Sequence, residues 1–364
     1  MASNLKDRLK RIHEIKKNEP ERIIPEKSGD NLDLINLGWN PCGYKVMERE
    51  VILPSSFKSI KNLPAALSVL IPDLRFQEIP KTEEFLFFDL ETTGLSGGAG
   101  TVAFLAAFGR IKSGKLVITQ YLLLDYPGEN DLLKNVIAKL NAEKQVIVSY
   151  NGKCFDSQII KTRCLMNRIK APVYRHADLL HPARRLWKNI IQDCSQISVE
   201  TKILGLSREG DIPGALAPEI WFEFLKTGKT DRLAGICDHN LSDISGLCQM
   251  LCAMIQIADD PVKCAKFNFD IERLSLFWRD FLRRTENQDN ELRKTGEKIL
   301  EQAAVFNKPR AAYVYSYEQM RKGNYEESLK YTQRALKLFE KDSIWHEKLL
   351  RRKERLIKKI NHSI

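Results

Sequence analysis

The distribution of apolar positions predicts an α/β domain between residues 84 and 257. A bulky apolar run, EFLFFDLE, starts at Glu84 and is typical of a buried strand. Two more strand-like runs follow at 101–111 and 115–125, joined by a Lys-Ser-Gly turn. This order of three strands predicts a mixed sheet with helices packed on it, because helical and strand patterns alternate afterwards. The later patterns are helices near 130–141 and 155–168 and strands at 145–150 and 173–178.

The segments before and after this domain have a different pattern. Residues 1–80 show a basic helical start and then turn-rich and leucine-rich stretches, for which the sequence indicates no role. Beyond about residue 265 the strand patterns stop, and the chain is helical and charged. We therefore divide the sequence into an N-terminal basic and helical extension of unknown role (1–80), an α/β domain (81–260) and a helical region (261–364).

One part of the helical region, from Lys308 to Lys341, is similar to a tetratricopeptide repeat. Ser316 departs from the pattern, because the first helix of such repeats usually has glycine there. A single repeat cannot bury its own apolar face, so helices near 289–306 and 343–360 must cover it. The positions that fit the second helix of a repeat are Gly323, Tyr325, Leu329, Ala335 and Leu336.

Charge and cysteine content indicate the type of partner and the cellular compartment of the protein. Lys and Arg total 58 against 47 Asp and Glu, and the formal net charge of +11 favours a polyanionic partner such as a nucleic acid. No apolar run approaches the roughly 18 residues of a membrane span. The charged start of the chain has no apolar h-region, so we expect neither a membrane protein nor a secreted one. The 8 cysteines form no CxxC pair, as is typical of a reduced, cytoplasmic protein.

The candidate chemistry begins at Asp89 and Glu91, in the sequence FDLETTGL. Side chains alternate along a strand, so two carboxylates two residues apart point to the same face. Neighbouring buried carboxylates repel each other unless a proton or a cation neutralises them. Since Mg²⁺ and Mn²⁺ prefer oxygen ligands, the pair predicts one corner of a metal site. Solvated acids in a turn are the alternative.

Two later motifs add to this pair. Asp156 ends the sequence YNGKCFD, where a strand gives way to a helix, and we expect it at the carboxyl edge of the sheet. His239 and Asp243 lie four residues apart in HNLSD, so on a helix they share one face. A helix cap and a surface pair are the ordinary explanations for these residues taken singly. The three motifs in this order favour one joint acidic site.

Together the three motifs resemble the DEDD superfamily of 3′–5′ exonucleases over about residues 84–257. Asp89 and Glu91 match the first motif, Asp156 the second and Asp243 the third. The resemblance implies an RNase H-like fold and a hydrolase in which these four acids bind two divalent metal ions, Mg²⁺ or Mn²⁺. More narrowly, the chain is similar to the YprB-like group of bacterial RNase H-like proteins, which append tetratricopeptide-like helices.

The same resemblance implies roles for residues around the acids. Asp89 would bridge the two ions, Thr92 would hydrogen-bond the terminal nucleotide, and Leu95 would wedge against a base. Asn151 would contact the substrate or orient the second-motif loop. The implied activity is 3′–5′ exonuclease cleavage of DNA phosphodiester bonds, in repair or processing. A helicase would be a sensible protein partner for the helical tail.

The third motif departs from both branches of the superfamily. One branch has tyrosine four residues before the last Asp, and the other has histidine five residues before it. This chain has His239 at the four-residue spacing. His239 is a candidate general base, because histidine titrates near neutral pH. A role in orienting the attacking water and a purely structural role are the alternatives.

A basic segment between 161 and 188 carries eight Lys and Arg residues and a single acid. Phosphate contacts dominate the affinity of proteins for nucleic acids, and aromatic stacking adds to it. With Tyr174 and Trp187 interleaved, the segment predicts a track for a nucleic-acid backbone, with Arg184 and Arg185 as substrate-binding candidates.

Several alternatives stay open on the sequence alone. Asp178 is either an accessory metal ligand or the cap of the helix that follows it. Arg208 and Asp211 either pair with each other or build the wall of the site. RNA is the second candidate substrate, because no residue pattern marks recognition of the 2′-hydroxyl. A non-catalytic nucleic-acid-binding adaptor and an endonuclease using the same ions are the other functional classes.

Overall fold

The computed structural model describes residues 30–55, 57, 63–64, 66–74, 80–94, 98–141, 144–208, 210–284 and 290–362. Within these ranges, seven strands form one sheet in the order β1-β2-β5-β4-β3-β6-β7. The strands are β1 Asn40–Gly43, β2 Val46–Pro54, β3 Phe85–Thr92, β4 Ala103–Lys112, β5 Lys115–Leu123, β6 Val146–Ser149 and β7 Arg175–Asp178. Neighbours from β1 to β3 pair antiparallel, whereas β3, β6 and β7 pair parallel. The predicted mixed sheet is confirmed.

Helices pack on both faces of this sheet. Along β3, Phe85 and Phe87 join one apolar cluster and Leu86 and Phe88 join the other, as the alternation of strand side chains requires. A π-helical turn, Glu200–Leu204, continues α6. The helices are α1 Asp30–Asn36, α2 Leu67–Leu70, α3 Glu129–Leu140, α4 Asp156–Met166, α5 Leu180–Trp187, α6 Gln196–Val199, α7 Ala217–Thr227, α8 Asp231–Asp259, α9 Ile271–Arg284, α10 Asn290–Val305, α11 Pro309–Arg321, α12 Tyr325–Leu338 and α13 Ile344–Asn361.

The sheet begins earlier in the chain than the predicted boundary at residue 81. Strand β2 pairs antiparallel with β5 over nine residues, from Val46 opposite Leu123 to Pro54 opposite Lys115. The apolar pattern of β2 is weak because three consecutive charged residues, Glu48 to Glu50, lie within it. The N-terminal segment therefore supplies two strands of the same sheet. The predicted basic helix at the very start of the chain lies outside the residues described.

Helix α8 connects the two apolar clusters. Its first part, including Leu233 and Ile236, packs in the cluster that contains Phe88, and its second part, from Ile244 onwards, packs in the cluster that contains Phe87. The HNLSD motif lies between these two parts of the helix, in the segment from Cys237 to Ile244. The fold thus places the third motif beside β3 and β4, on which α8 packs.

The length and composition of α8 would also allow it to cross a membrane. However, 67% of its most apolar window is buried inside the molecule, where the helix packs on β3 and β4. Gly109 of β4 permits this close packing, because a Cβ atom there would lie 2.4 Å from Cγ2 of Ile244. Such burial is typical of the core helix of a globular domain.

The C-terminal helices divide between two cores. Leu274 and Trp278 of α9 and Ile299 of α10 belong to the same apolar cluster as the sheet, so these helices are packed on the domain that the sequence ended at residue 260. Helices α10 to α13 together surround a second cluster that includes Ala303, Ala311 and Leu349. The predicted helical region is confirmed, with α10 and α13 flanking the α11–α12 pair as expected. Its likeness to a tetratricopeptide repeat stays a prediction.

Candidate metal centre

The first-motif acids lie at the end of β3, as predicted. Asp89 is opposite the small residue Ala107 on β4, and Glu91 is opposite Leu105. Directly after Glu91 the register shifts by one residue, so Thr92 pairs with Ala103. This irregularity is a β-bulge, which bends a strand and redirects its side chains. It ends the regular pairing at the point where the two carboxylates enter the site.

The second motif is held in place by Asp178. Its carboxylate accepts hydrogen bonds from the backbone N–H groups of Asn151 (2.8 Å), Lys153 (3.1 Å) and Leu180 (3.1 Å). Both of its oxygens are therefore used by the loop and by the start of α5, and Asp178 is only 3% exposed. These contacts agree with the role of a helix cap for Asp178, one of the two alternatives. In addition, Asp178 fixes the second-motif loop.

The loop delivers Asp156 as the first residue of α4. Asn151 adopts a left-handed backbone conformation with φ of 63° and lies exposed at the start of the loop. A Cβ atom on Gly152 would lie 2.8 Å from Oδ2 of Asp156 and 2.4 Å from Oγ of Ser149. Only glycine fits there, because the backbone passes directly against both side chains.

Helix α8 brings the third motif to the same place. Asn240 donates a hydrogen bond from Nδ2 to Oδ2 of Asp89 (2.7 Å). His239 and Asp243 share one face as predicted, with Nε2 and Oδ2 separated by 3.3 Å. One ligand atom each from Glu91, His239 and Asp243 all lie within 4.8 Å of one another. The first and third motifs therefore meet in space.

The carboxylates of this centre raise one another's pKa. Burial raises the pKa of Asp89 well above its usual range, and the charges of Asp243, Asp156 and Glu91 raise it further. The pKa of Glu91 is raised in the same way, first by burial and then by Asp243 and Asp156. Burial, followed by Asp178 and Asp243, raises the pKa of Asp156 to about 7. Mutual repulsion of this kind requires that the four acids of the three motifs lie close together.

Two of these acids have no polar partner that would stabilise their charge. In the part of the chain that the structure describes, neither Glu91 nor Asp156 accepts a hydrogen bond or forms an ion pair, although they are only 9% and 5% exposed. Buried charges are stable only when paired or when they coordinate a cation. Oxygen donors of this type suit hard divalent cations. The donor set therefore fits the metal ions that the sequence predicted.

The outer side of Asp243 is occupied by Arg208, which donates to Oδ1 from Nη2 (2.6 Å). The same guanidinium contacts Glu200 (2.6 Å) and Asp211 (3.2 Å). Asp211 also accepts from Nδ1 of His239 at 2.8 Å. Arg208 and Asp211 thus do both things that the sequence left open: they pair with each other and build the wall of the site.

The remaining predicted residues lie in varied surroundings. Thr92 is buried and donates its hydroxyl to the backbone oxygen of Gly94 (2.9 Å), and Leu95 is outside the described residues. Arg184 is exposed on α5. Arg185 donates to the backbone oxygen of Leu70 (2.7 Å) and stacks over the ring of Phe277.

The predicted stacking role of Trp187 is wrong. Its side chain is fully buried, and Nε1 donates to the backbone oxygen of Phe267 (3.1 Å) at the junction with the C-terminal helices. The ring therefore offers no face to a base. Tyr174 is half-buried and donates its hydroxyl to Oγ of Ser157 (3.0 Å). Five basic residues of the segment are exposed and three, Arg163, Arg175 and Arg185, are partly buried, so the predicted track has fewer exposed charges and one aromatic fewer than expected.

Sequence reasoning missed a hydrogen-bond chain behind Asp89. Arg49 of β2 donates from Nε to Oε1 of Gln120 (2.7 Å). Gln120 is fully buried and donates from Nε2 to Oδ1 of Asn240 (2.8 Å), which in turn donates to Asp89. Asn240 could have been identified from the sequence, because it is next to His239 in the third motif. Arg49 and Gln120 belong to no motif. Their role depends on strand pairing that the sequence pattern did not reveal.

Comparison with known proteins agrees with this architecture. The RNase_H_2 family, described as "RNase_H superfamily", matches residues 86–255. The "Uncharacterized protein YprB" of Bacillus subtilis (strain 168) is 40% identical over 164 residues, which cover 44% of this chain and 39% of that protein. The chain thus matches about two fifths of the length of this relative.

Among solved structures, the family B DNA polymerase of the archaeon Pyrobaculum calidifontis is a distant neighbour. The match has a TM-score of 0.37 and 14% identity, and it covers 56% of this chain and 30% of the polymerase. A likeness of this size has no bearing on the activity of the chain. The sheet order, the helices on both faces and the family match over residues 86–255 agree with the predicted RNase H-like architecture.

Proposed function

We propose that the protein is a metal-dependent 3′–5′ exonuclease of the DEDD type that hydrolyses DNA in repair or processing in the cytoplasm. One observation carries the proposal: four carboxylates from β3, α4 and α8 converge, and two of them are buried without a polar partner. An RNase H-like domain with this centre and a net charge of +11 suits a polyanionic phosphodiester substrate.

In this proposal the metal ligands are Asp89, Glu91, Asp156 and Asp243. Two divalent ions, Mg²⁺ or Mn²⁺, would supply Lewis-acid polarisation of the scissile phosphate and an activated water when bound. The chain's own contribution is to hold the ligands. Asn240 fixes one oxygen of Asp89, and the lack of a side chain on Gly152 leaves space for Asp156 beside Ser149 at the end of β6.

The substrate contacts in this proposal surround the acids. Thr92 and Leu95 follow the β-bulge and would hold the terminal nucleotide. Asn151 begins the second-motif loop, and its exposed side chain would contact the substrate. Arg184 would bind a backbone phosphate from the surface of α5. Arg185 would contribute only by leaving the backbone oxygen of Leu70, to which it donates.

The decisive experiment is a cleavage ladder on end-labelled single-stranded DNA, duplex DNA and RNA. It compares the wild type with Asp89→Ala in Mg²⁺, Mn²⁺ and EDTA. We expect a metal-dependent ladder that shortens from the 3′ end of DNA with the wild type. Asp89→Ala should abolish cleavage but retain DNA binding, because the basic surface lies elsewhere. Asp259→Ala, which removes an exposed carboxylate at the end of α8, is the matched control and should cleave normally.

The other outcomes of the ladder identify the alternative functions. A ladder on RNA alone would make the protein an RNA exonuclease. Internal cuts would indicate an endonuclease. Salt-sensitive binding without cleavage in either metal would contradict the proposal and favour a nucleic-acid-binding adaptor. Loss of DNA binding in Asp89→Ala together with cleavage would contradict the separation between the acidic centre and the basic surface.

A further inference from the structure

His239 is held with its Nε2 atom directed into the acidic centre. The side chain is 5% exposed, and Nδ1 lies 2.8 Å from each oxygen of Asp211. An ionised carboxylate can only accept a hydrogen bond, so Nδ1 carries the proton and donates. In a neutral imidazole, Nε2 then presents a lone pair.

Nε2 of His239 lies beside two carboxylates. Oδ2 of Asp243 lies 3.3 Å away, and a carboxylate oxygen of Glu91 completes a group within 4.8 Å. A lone pair and two carboxylates repel one another unless a positive charge lies between them. On the remaining side is Gly214, where a Cβ atom would lie 2.8 Å from Nε2. A side chain at this position would fill the space beside the nitrogen.

The four-residue spacing explains why the histidine reaches this place. Residues four apart on an α-helix are rotated by about 40° from each other, whereas residues five apart are rotated by about 140°. His239 therefore lies on the same stripe of α8 as Asp243. The five-residue spacing of the histidine branch would direct the imidazole away from the carboxylate.

We propose that Nε2 of His239 is a metal ligand, together with Glu91 and Asp243, and that this nitrogen makes the site select Mn²⁺ over Mg²⁺. The inference rests on the metal centre of the proposed function. Metal-binding histidines typically donate their other N–H to a carboxylate, as His239 does to Asp211. Mg²⁺ takes oxygen ligands almost exclusively, whereas Mn²⁺ also accepts imidazole. Glu91 supplies a buried oxygen donor that the described residues leave without a partner.

The test measures the binding of Mn²⁺ alone to the metal-free full-length protein. Electron paramagnetic resonance gives the bound fraction, and electron spin echo modulation detects a ¹⁴N nucleus bonded to the ion. We expect nitrogen modulation in the wild type and displacement of Mn²⁺ only by a large excess of Mg²⁺. His239→Gln should lose the modulation and weaken Mn²⁺ binding by about 10-fold or more. Mg²⁺ binding should change much less.

A matched control is His176→Gln. His176 is a half-buried histidine hydrogen-bonded to Ser149 (2.7 Å) and Ser157 (3.2 Å), outside the group that contains Nε2 of His239. This variant should keep the nitrogen modulation and the Mn²⁺ affinity. Circular dichroism of both variants shows whether a change in binding reflects unfolding, and only folded variants are compared.

The possible results separate this inference from the proposed function. Bound Mn²⁺ without nitrogen modulation in the wild type would overturn the inference but leave an exonuclease with four oxygen ligands. Unchanged Mn²⁺ affinity with lost cleavage in His239→Gln would also overturn it, since His239 would then act as a general base. Nitrogen modulation in a protein that cleaves no nucleic acid would support the inference and contradict the proposed function. Absence of Mn²⁺ binding would contradict both.

Discussion

A carboxylate buried at the start of a helix, such as Asp156, is neutralised by a proton or by a cation. Its pKa is raised from 3.8 to about 7 in the folded chain. Between these pH values the folded state binds more protons than the unfolded state, so stability falls as pH rises. The full difference corresponds to on the order of 4 kcal/mol above pH 7. Metal binding would remove this penalty.

We predict that Asp156→Asn stabilises the metal-free protein, because asparagine has no charge to bury. The midpoint of thermal unfolding should rise by several degrees at pH 8 and by clearly less at pH 5, where the proton already neutralises Asp156. Differential scanning calorimetry of metal-free samples at the two pH values measures both changes. Added Mn²⁺ should stabilise the wild type more than the variant.

The matched control is Asp231→Asn, since Asp231 is also the first residue of a helix but is exposed. It should lower stability slightly at both pH values, because an ionised side chain favours a helix N-terminus. If Asp156→Asn destabilises the protein at pH 8, the carboxylate is held by contacts other than those described above.

At the scale of residues, the sequence predicted the acids better than their partners. Asp89, Glu91, Asp156 and Asp243 were all placed in one site, since each belongs to a motif of neighbouring residues. Glu200 was missed, because it meets the site only through the fold. Asp178 was assigned to the correct region, but its hold on the second-motif loop depends on a contact across 27 residues.

Among the elements, a glycine of α8 allows close packing of this helix against the π-helical turn Glu200–Leu204. A Cβ atom on Gly246 would lie 1.8 Å from Oε1 of Glu200. Glu200 is buried against α8 and forms the ion pair with Arg208 that holds the outer oxygen of Asp243. The glycine therefore determines, through two side chains, how a proposed metal ligand is presented.

We predict that Gly246→Ala destabilises the protein by about 1–3 kcal/mol, the range for overpacking a core. Helix propensity alone would give the opposite sign, since alanine favours a helix over glycine by about 1 kcal/mol. Urea unfolding followed by circular dichroism measures the change. Mn²⁺ binding should also weaken, because displaced Glu200 no longer holds Arg208.

Ser245→Ala, at the neighbouring position of α8, is the control for this change and should alter stability by less than about 0.5 kcal/mol. A stabilised Gly246→Ala protein would mean that Glu200 moves aside without loss. In that case the ion pair with Arg208 has no part in positioning Asp243.

The sequence predicted most elements of the domain and failed where the pattern was weak. Strands β3 to β6 have apolar runs, and all strands from β3 to β7 lie within a few residues of their predicted bounds. Strand β2 was missed, since three consecutive charged residues interrupt its apolar pattern near one edge of the sheet, where a strand is only partly buried. Propensity and periodicity detect burial on two faces more readily than burial on one.

The whole molecule is held together by the first C-terminal helices. Trp278 of α9 is 1% exposed and belongs to the apolar cluster that also contains Phe87 of β3. The neighbouring backbone contact, from Asp270 N–H to the oxygen of Leu186, ties the start of α9 to α5. The predicted boundary near residue 260 marks the end of α8 but not the end of the core.

We predict that Trp278→Ala destabilises the RNase H-like domain by about 3–5 kcal/mol, the range for removing a large buried side chain. Hydrogen exchange of the amides in β3 and β6 measures this loss at the site itself. Trp345→Ala is the control, since Trp345 lies in α13 and is 38% exposed. It should leave exchange in β3 unchanged. Equal protection of β3 in Trp278→Ala and the wild type would show that the C-terminal helices form an independent unit.

The hydrogen bonds from Arg49 to Asp89 all run in one direction. Arg49 donates a hydrogen bond to Gln120, Gln120 donates one to Asn240, and Asn240 donates one to Asp89. The orientation of both amides is therefore fixed by a permanently charged guanidinium in β2. The two oxygens of a free aspartate are equivalent by symmetry. In this protein, an arginine 40 positions earlier in the chain breaks that symmetry by fixing which oxygen of Asp89 is already engaged, and the other oxygen is the one left for a metal ion in the proposed function.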